Sequence, residues 1–212
     1  MTSAGPEPEE SVNLPGLLGG FRPSRGGGAT ARFGAVEAAN IRYLVGQVVD
    51  LLGGDALDEE QPDDRPAEPE DDLPSAGDLA AMIGLTDNSE LPSDPALARL
   101  LPDAYRDDPE ASGEFRRYTE QGLRSGKVAA ARTVLATLPP KGGRVRLSGP
   151  EAQAWLRALN DVRLALGVRL EVTEDFDELV ARMSPGDPRL AYADVYQWLG
   201  YLQETLVGAL SR

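Results

Sequence analysis

Residues 55 to 72, DALDEEQPDDRPAEPEDD, hold ten acids against the single Arg65 and are broken by Pro62, Pro66 and Pro69. So much like charge with so little to bury cannot enter a core, and the prolines deny the stretch a continuous helix. Whatever folds must be assembled from chain on both sides of it, which is tolerable because closure entropy grows only slowly with loop length. The sequence therefore predicts one α-rich domain over 28–212, interrupted by an acidic, mostly disordered insertion at 55–92. A flexible tail over 1–27 precedes it, in which Leu14, Leu17, Leu18 and Phe21 are the residues able to dock locally. The acidic tract carries −9 of the formal net charge of −14, so the remainder is only mildly acidic.

Two strand-then-helix units stand out on either side of the insertion. In the first, ATARF (29–33) precedes a helix from about Ala35 to Leu52, with Ile41, Val45, Val48 and Leu52 on one face and Gly53 and Gly54 ending it. In the second, GRVRL (143–147) precedes a helix over 148–167. Ser148 and Glu151 stand there at capping-box spacing, with Pro150 in the first turn and Trp155, Leu159, Val162 and Leu166 as the apolar stripe. A shift of 114 residues superposes the two, matching Arg32 with Arg146, Phe33 with Leu147, Glu37 with Glu151 and Ala38 with Ala152. This internal echo predicts two short strands pairing at one side, each feeding a core helix.

The rest reads as helix. Short helices are expected over 93–101 and 175–183, and a final one over 188–210 with the stripe Tyr192, Val195, Leu199, Leu202 and Leu206. A long helix over 111–138, with a kink allowed at Gly122 or Gly126, buries Val128, Ala131, Leu135 and Leu138 before Pro139 and Pro140 stop it. The expected fold class is mainly α: a single-domain helical bundle with a small two-stranded β element.

Chemistry is narrowed by two absences, since the chain has no His and no Cys. Thiolate nucleophiles, disulfides, zinc fingers, iron–sulfur sites and imidazole bases are all excluded. RGGG at 25–28 lacks the Lys-Ser/Thr ending of a phosphate loop and reads as linker. No cofactor is expected. The N-terminal MTSAGPEPEESVN is acidic where a secretory signal needs positive charge, and no apolar run approaches the ~18 residues of a membrane span, so a cytoplasmic location away from membranes is expected.

The strings SDPALARLLPDAY (93–105), EFRRYTEQGLRSGK (114–127), WLRALNDVRLALGVRLEVTE (155–174) and YQWLGYLQETLV (196–207) together resemble an actinobacterial domain-of-unknown-function family, also called the AosR-type oxidative-stress transcriptional regulators. The resemblance spans most of the chain expected to be ordered. It implies a cytoplasmic regulator that works with an alternative sigma factor of RNA polymerase on antioxidant and sulfur-metabolism genes. A gene setting beside the adaptor of the Clp protease is also implied, which leaves a helical adaptor or scaffold of proteolysis as an alternative. The family's redox switch uses a cysteine pair, and a chain without Cys cannot form a sulfenic acid or a disulfide. Met1, Met82 and Met183 are too scattered to replace it. Any sensing must then lie elsewhere.

Partner binding has two candidate segments. Residues 115–146 carry eight basic side chains against Glu120, and Arg116, Arg117, Arg124 and Lys127 offer themselves to phosphates or to an acidic protein surface. Direct DNA contact is disfavoured by the sequence pI of 4.4 and by the lack of a helix-turn-helix pattern. The acidic tract would screen this basic segment. DLAAMIGL (78–85) is the second candidate, a short amphipathic helix whose Leu79, Met82 and Ile83 could anchor in a groove. A polar cluster of Asn160, Asp161, Arg163, Arg169, Gln203 and Glu204 is expected to tie two helices together, with Arg163 or Arg169 bonding Glu204. The same cluster carries the remaining alternative, a small carboxylate-based enzyme. Tyr196, Trp198 and Tyr201 lie off the main stripe, where they would form either a patch for a homodimer or partner or a broader core face.

Overall fold

The computed structural model describes residues 20–54, 93–105, 108–184, 187 and 189–211. Both the acidic tract and the 78–85 segment, with Leu79, Met82 and Ile83, lie outside them. Among the described residues the order is β1 (Arg22–Ser24), β2 (Gly28–Phe33), α1 (Ala35–Leu51), α2 (Pro95–Leu100), α3 (Pro109–Thr137), β3 (Gly143–Leu147), α4 (Gly149–Arg169), α5 (Phe176–Ala181) and α6 (Arg189–Leu210). The fold is mainly helical, as the periodicities predict.

The sheet has three strands rather than two. Its order is β1-β2-β3, antiparallel throughout, and β1 comes from chain expected in the tail. The cause is Phe21, which is buried and packs edge-on against Phe33 and Trp155, at ring-centroid distances of 5.8 and 5.5 Å. Its amide donates to Thr205 Oγ1 at 3.1 Å, tying the start of the described chain to α6. One aromatic is enough to fix a strand here because the Gly26–Gly27 turn, with φ of 96° and 82°, folds β1 directly back onto β2.

The internal echo is realised in the register. Ala31 faces Val145, its counterpart 114 residues on, and the pairs Ala29–Leu147 and Phe33–Gly143 exchange under the same shift. The ladder is thus symmetric about its centre. Each strand is followed by one capping residue and then a helix, Gly34 before α1 and Ser148 before α4. Equivalent positions are buried in both units: Phe33 and Leu147, Ala38 and Ala152, Ile41 and Trp155, Val45 and Leu159, Val48 and Val162.

Alternation along the strands separates two faces. Ala29, Ala31, Phe33, Val145 and Leu147 point into the core, where Phe33 stacks on Trp155 at 5.7 Å and the Trp155 indole N–H donates to Thr137 Oγ1 at 2.7 Å. The helices close over this face, α4 packing against α3, α2, α6 and α1. Asp94 caps α2 through the amides of Ala96 and Leu97, and Asp108 caps α3 through that of Ala111. Helix α3 continues through Gly122 and Gly126 as one element. On α6 the stripe of Leu199, Leu202 and Leu206 is buried, whereas Tyr192 is exposed. Trp198 is buried instead, and Tyr196 packs edge-on against Phe176 at 5.5 Å, so the aromatic patch does not form on α6 and only Tyr201 of the three is exposed.

Candidate functional site

The basic residues of α3 are not a free cationic face. Arg116 is buried, pairs with Asp103 at 2.6 Å and with Glu120 at 3.2 Å, and donates to the Leu101 carbonyl. Arg124 pairs with the other oxygen of the same Glu120 at 2.7 Å and donates to the Leu52 carbonyl at 3.2 Å. Arg132 donates to the Gly54 carbonyl at 3.1 Å. Arg124 and Arg132 satisfy carbonyls left open where α1 ends, Arg116 does so at the end of α2, and Arg42 does the reverse at the end of α3, reaching Leu135 and Leu138. Lys127 pairs with Asp161 of α4 at 2.6 Å. Of the four candidates only Arg117 is exposed. Of the four residues offered to phosphates or to an acidic protein surface, Arg116, Arg124 and Lys127 thus hold elements of the fold together.

The polar cluster divides likewise. Arg163 donates to Gln203 Oε1 at 2.8 Å and to the Tyr196 hydroxyl at 3.3 Å, its guanidinium lying 4.8 Å from the Tyr196 ring centre. This joins α4 to α6 as expected, but through Gln203 and Tyr196 rather than Glu204. Arg169 pairs with Asp94 at 2.6 Å, and Asn160 and Glu204 are exposed. Asp161 and Glu204 thus do not converge on one catalytic centre. Among the described residues no group of three or more acids could hold a metal ion.

Burial pushes the Asp161 carboxyl above the usual carboxylate range, and the Lys127 ammonium pulls it only part of the way back. The native carboxyl then holds its proton to a higher pH than the unfolded one, so between the two values the native state binds more protons and stability falls as pH rises. Asp161→Asn removes that dependence. The difference in urea midpoint between wild type and Asp161→Asn is expected to move against the wild type as pH climbs through the acid range from about 3.9. A difference that stays flat would show the carboxyl to be unperturbed.

What the sequence reading missed is the outer face of the sheet. Arg22, Thr30, Arg32, Arg144 and Arg146 alternate with the core residues, and the register sets Arg32 directly opposite Arg144 and Thr30 between Arg22 and Arg146. Among the described residues none of these four arginines, nor Lys141, pairs with an acid. The signal was present in ATARF and GRVRL, whose arginines share a parity. A cleft of about 740 Å³ lies against this face, lined by Arg22, Arg32, Lys141, Arg144 and Glu37 among others. Gly142, at φ 74°, lets the turn into β3 lie on the β2–α1 junction: a Cβ there would stand 2.6 Å from the Phe33 and Gly34 carbonyl oxygens.

A second exposed surface lies at the start of α3. Tyr118 is 68% exposed, and Phe115, Leu123 and Tyr105 are about half exposed, Tyr105 meeting Phe115 edge-on at 6.2 Å. No helix among the described residues is long and apolar enough to cross a membrane.

A family model described as "Domain of unknown function (DUF2017)" matches residues 18–210. A Mycobacterium tuberculosis protein named "Oxidative stress regulator AosR" is 37% identical over 185 residues, covering 81% of this chain and 77% of the relative. A Mycobacterium bovis protein of the same name is similar to the same extent, 37% over 185 residues. No solved structure matches significantly.

Proposed function

The chain belongs to the DUF2017 family, and from that premise we propose that it is a cytoplasmic regulator of the oxidative-stress response, acting by protein contact with an RNA polymerase sigma factor and without a thiol switch of its own. The relatives' names support the regulatory part. The zero cysteine count removes thiol sensing from this chain whatever its relatives do.

The observation that carries the protein-contact part is the division of labour on α3. Arg116, Arg124 and Lys127 are engaged with Glu120, Asp103, Asp161 and backbone carbonyls, while Phe115, Tyr118 and Leu123 face outward. Exposed aromatic side chains ringed by polar ones suit a protein interface, and phosphate contact on this helix would need Arg116, Arg124 and Lys127, which the fold has engaged. For α3, contact with another protein is favoured over contact with DNA on that ground.

The test is affinity purification of the full chain from its native cell, with and without peroxide, followed by mass spectrometry. Recovery of a sigma factor is expected, and Tyr118→Ala together with Phe115→Ser should reduce it about tenfold or more, the loss expected when two interface aromatics are removed. Absence of polymerase and sigma factors in both conditions would overturn the proposal. So would recovery of Clp subunits in their place.

A further inference from the structure

The two strand-to-helix units differ at one chemically telling position. In the second, Glu151 Oε2 accepts from both the amide and the hydroxyl of Ser148, each at 2.7 Å. In the first, the capping residue is Gly34, which offers Glu37 Oε2 its amide at 2.6 Å but has no hydroxyl to add. Glu37 is only 7% exposed, and its Oε1 is buried with no donor among the described residues. A buried acceptor left without a donor is a cost that native chains seldom carry without a use, and local rules are broken most often where a ligand is met.

Glu37 stands in the wall of the cleft on the outer sheet face. Its terminal torsion is soft, so a small turn of the carboxylate presents Oε1 to a donor in the cleft. Around it Arg22, Arg32, Lys141 and Arg144 arrive from β1, β2, the turn before β3 and β3 itself, without acidic partners among the described residues. Setting Arg32 directly opposite Arg144 is unfavourable for a bare sheet and becomes favourable when a multivalent anion lies between them. The cleft, at about 740 Å³, has the volume of a small-molecule site.

We propose that this cleft binds a nucleoside phosphate, its phosphates on Arg22, Arg32, Lys141 and Arg144 and a sugar hydroxyl or base N–H on Glu37 Oε1. A monocarboxylate brings too little charge for four cations, and inorganic phosphate or pyrophosphate, once fully ionised among them, has no donor for Glu37. A nucleoside phosphate meets both needs within the available volume. Such a site gives a chain without cysteine an input of its own, and it stands on the cleft independently of any sigma-factor contact.

Isothermal titration of the full chain at low ionic strength, with pyrophosphate, ADP and GDP as probes, tests it. At least one nucleoside diphosphate is expected to bind about tenfold or more tightly than pyrophosphate, the worth of one hydrogen bond to a charged group. Arg144→Ala and Arg32→Ala, both on the exposed face, should weaken every probe by a similar factor. Glu37→Gln is the discriminating variant. Its amide oxygen keeps the bond from the Gly34 N–H that Oε2 accepts at 2.6 Å, and its NH2 puts a donor where Oε1 offers an acceptor. Nucleoside diphosphates should then lose their advantage over pyrophosphate. Failure of all three probes to bind at about millimolar concentration would overturn the proposal. Binding untouched by Arg144→Ala and Glu37→Gln would do the same, as would tighter binding of a poly-glutamate peptide, which would make the face a docking surface for acidic chain.

Discussion

Trp155→Ala is expected to cost about 3–5 kcal/mol of stability, the largest effect of any single truncation in this core. The side chain is fully buried, with Phe33 stacked on one face at 5.7 Å and Phe21 meeting it edge-on at 5.5 Å. Its removal opens a cavity that three elements share, β1, β2 and α4, and none of them can collapse into it without breaking sheet register. It also takes the indole donor from Thr137 at 2.7 Å. For a chain of this size such a loss lowers the melting temperature by roughly 6–20 °C. Trp198→Phe provides the contrast. The Trp198 indole N–H is buried without a partner among the described residues, so its loss removes no hydrogen bond made there, and the variant should be milder than Trp155→Phe. Thermal melts of the three variants check the order. A Trp155→Ala protein that melts with the wild type would mean that the aromatic cluster does not hold the sheet to the helices.

Glu120→Ala is expected to be nearly as damaging, at about 3–5 kcal/mol, because it strands charge inside the fold. Glu120 is 3% exposed and is the shared partner of Arg116 and Arg124. Without it the buried Arg116 keeps only Asp103 and the Leu101 carbonyl, and Arg124 loses the carboxylate that aims it at the end of α1. Replacing the two together, Arg116→Met with Glu120→Leu, removes the two most buried charges and their desolvation cost and should recover part of the loss, Arg124 and the partly exposed Asp103 being left to solvent. Urea midpoints test this, and added salt should alter the wild-type value little, since buried pairs are poorly screened. A single variant no less stable than the double would show the pair to be a surface ornament.

The same residues explain what could be read from the chain and what could not. GRVRL and ATARF were legible as strands because alternation is a local property, and Ser148 with Glu151 was legible as a helix start because a cap closes within three residues. The echo at 114 residues held because a repeated pattern of burial and capping imposes the same geometry twice. Phe21 was visible as a residue able to dock, but β1 was not, since a three-residue strand exists only because Phe21 finds Phe33 and Trp155. What the cations of α3 meet was not legible, for a related cause. Spacing places Arg117, Arg124 and Lys127 on one face, yet it is silent on what stands opposite.

Sequence alone determined the helices, β2 and β3, most of each core stripe, the strand-to-helix units and the exclusion of thiol and imidazole chemistry, because each depends on residue identity or on neighbours within a turn or two. Tertiary structure alone decided where the charges went. Asp161 is 34 residues from Lys127, the Leu52 carbonyl is 72 residues from Arg124, and Arg32 faces Arg144 across the sheet. Cations are silenced or left open by partners that only folding brings within reach, so Arg116, Arg124 and Lys127 on α3 are structural, whereas Arg22, Arg32, Arg144 and Arg146 on the outer sheet face have no acidic partner among the described residues.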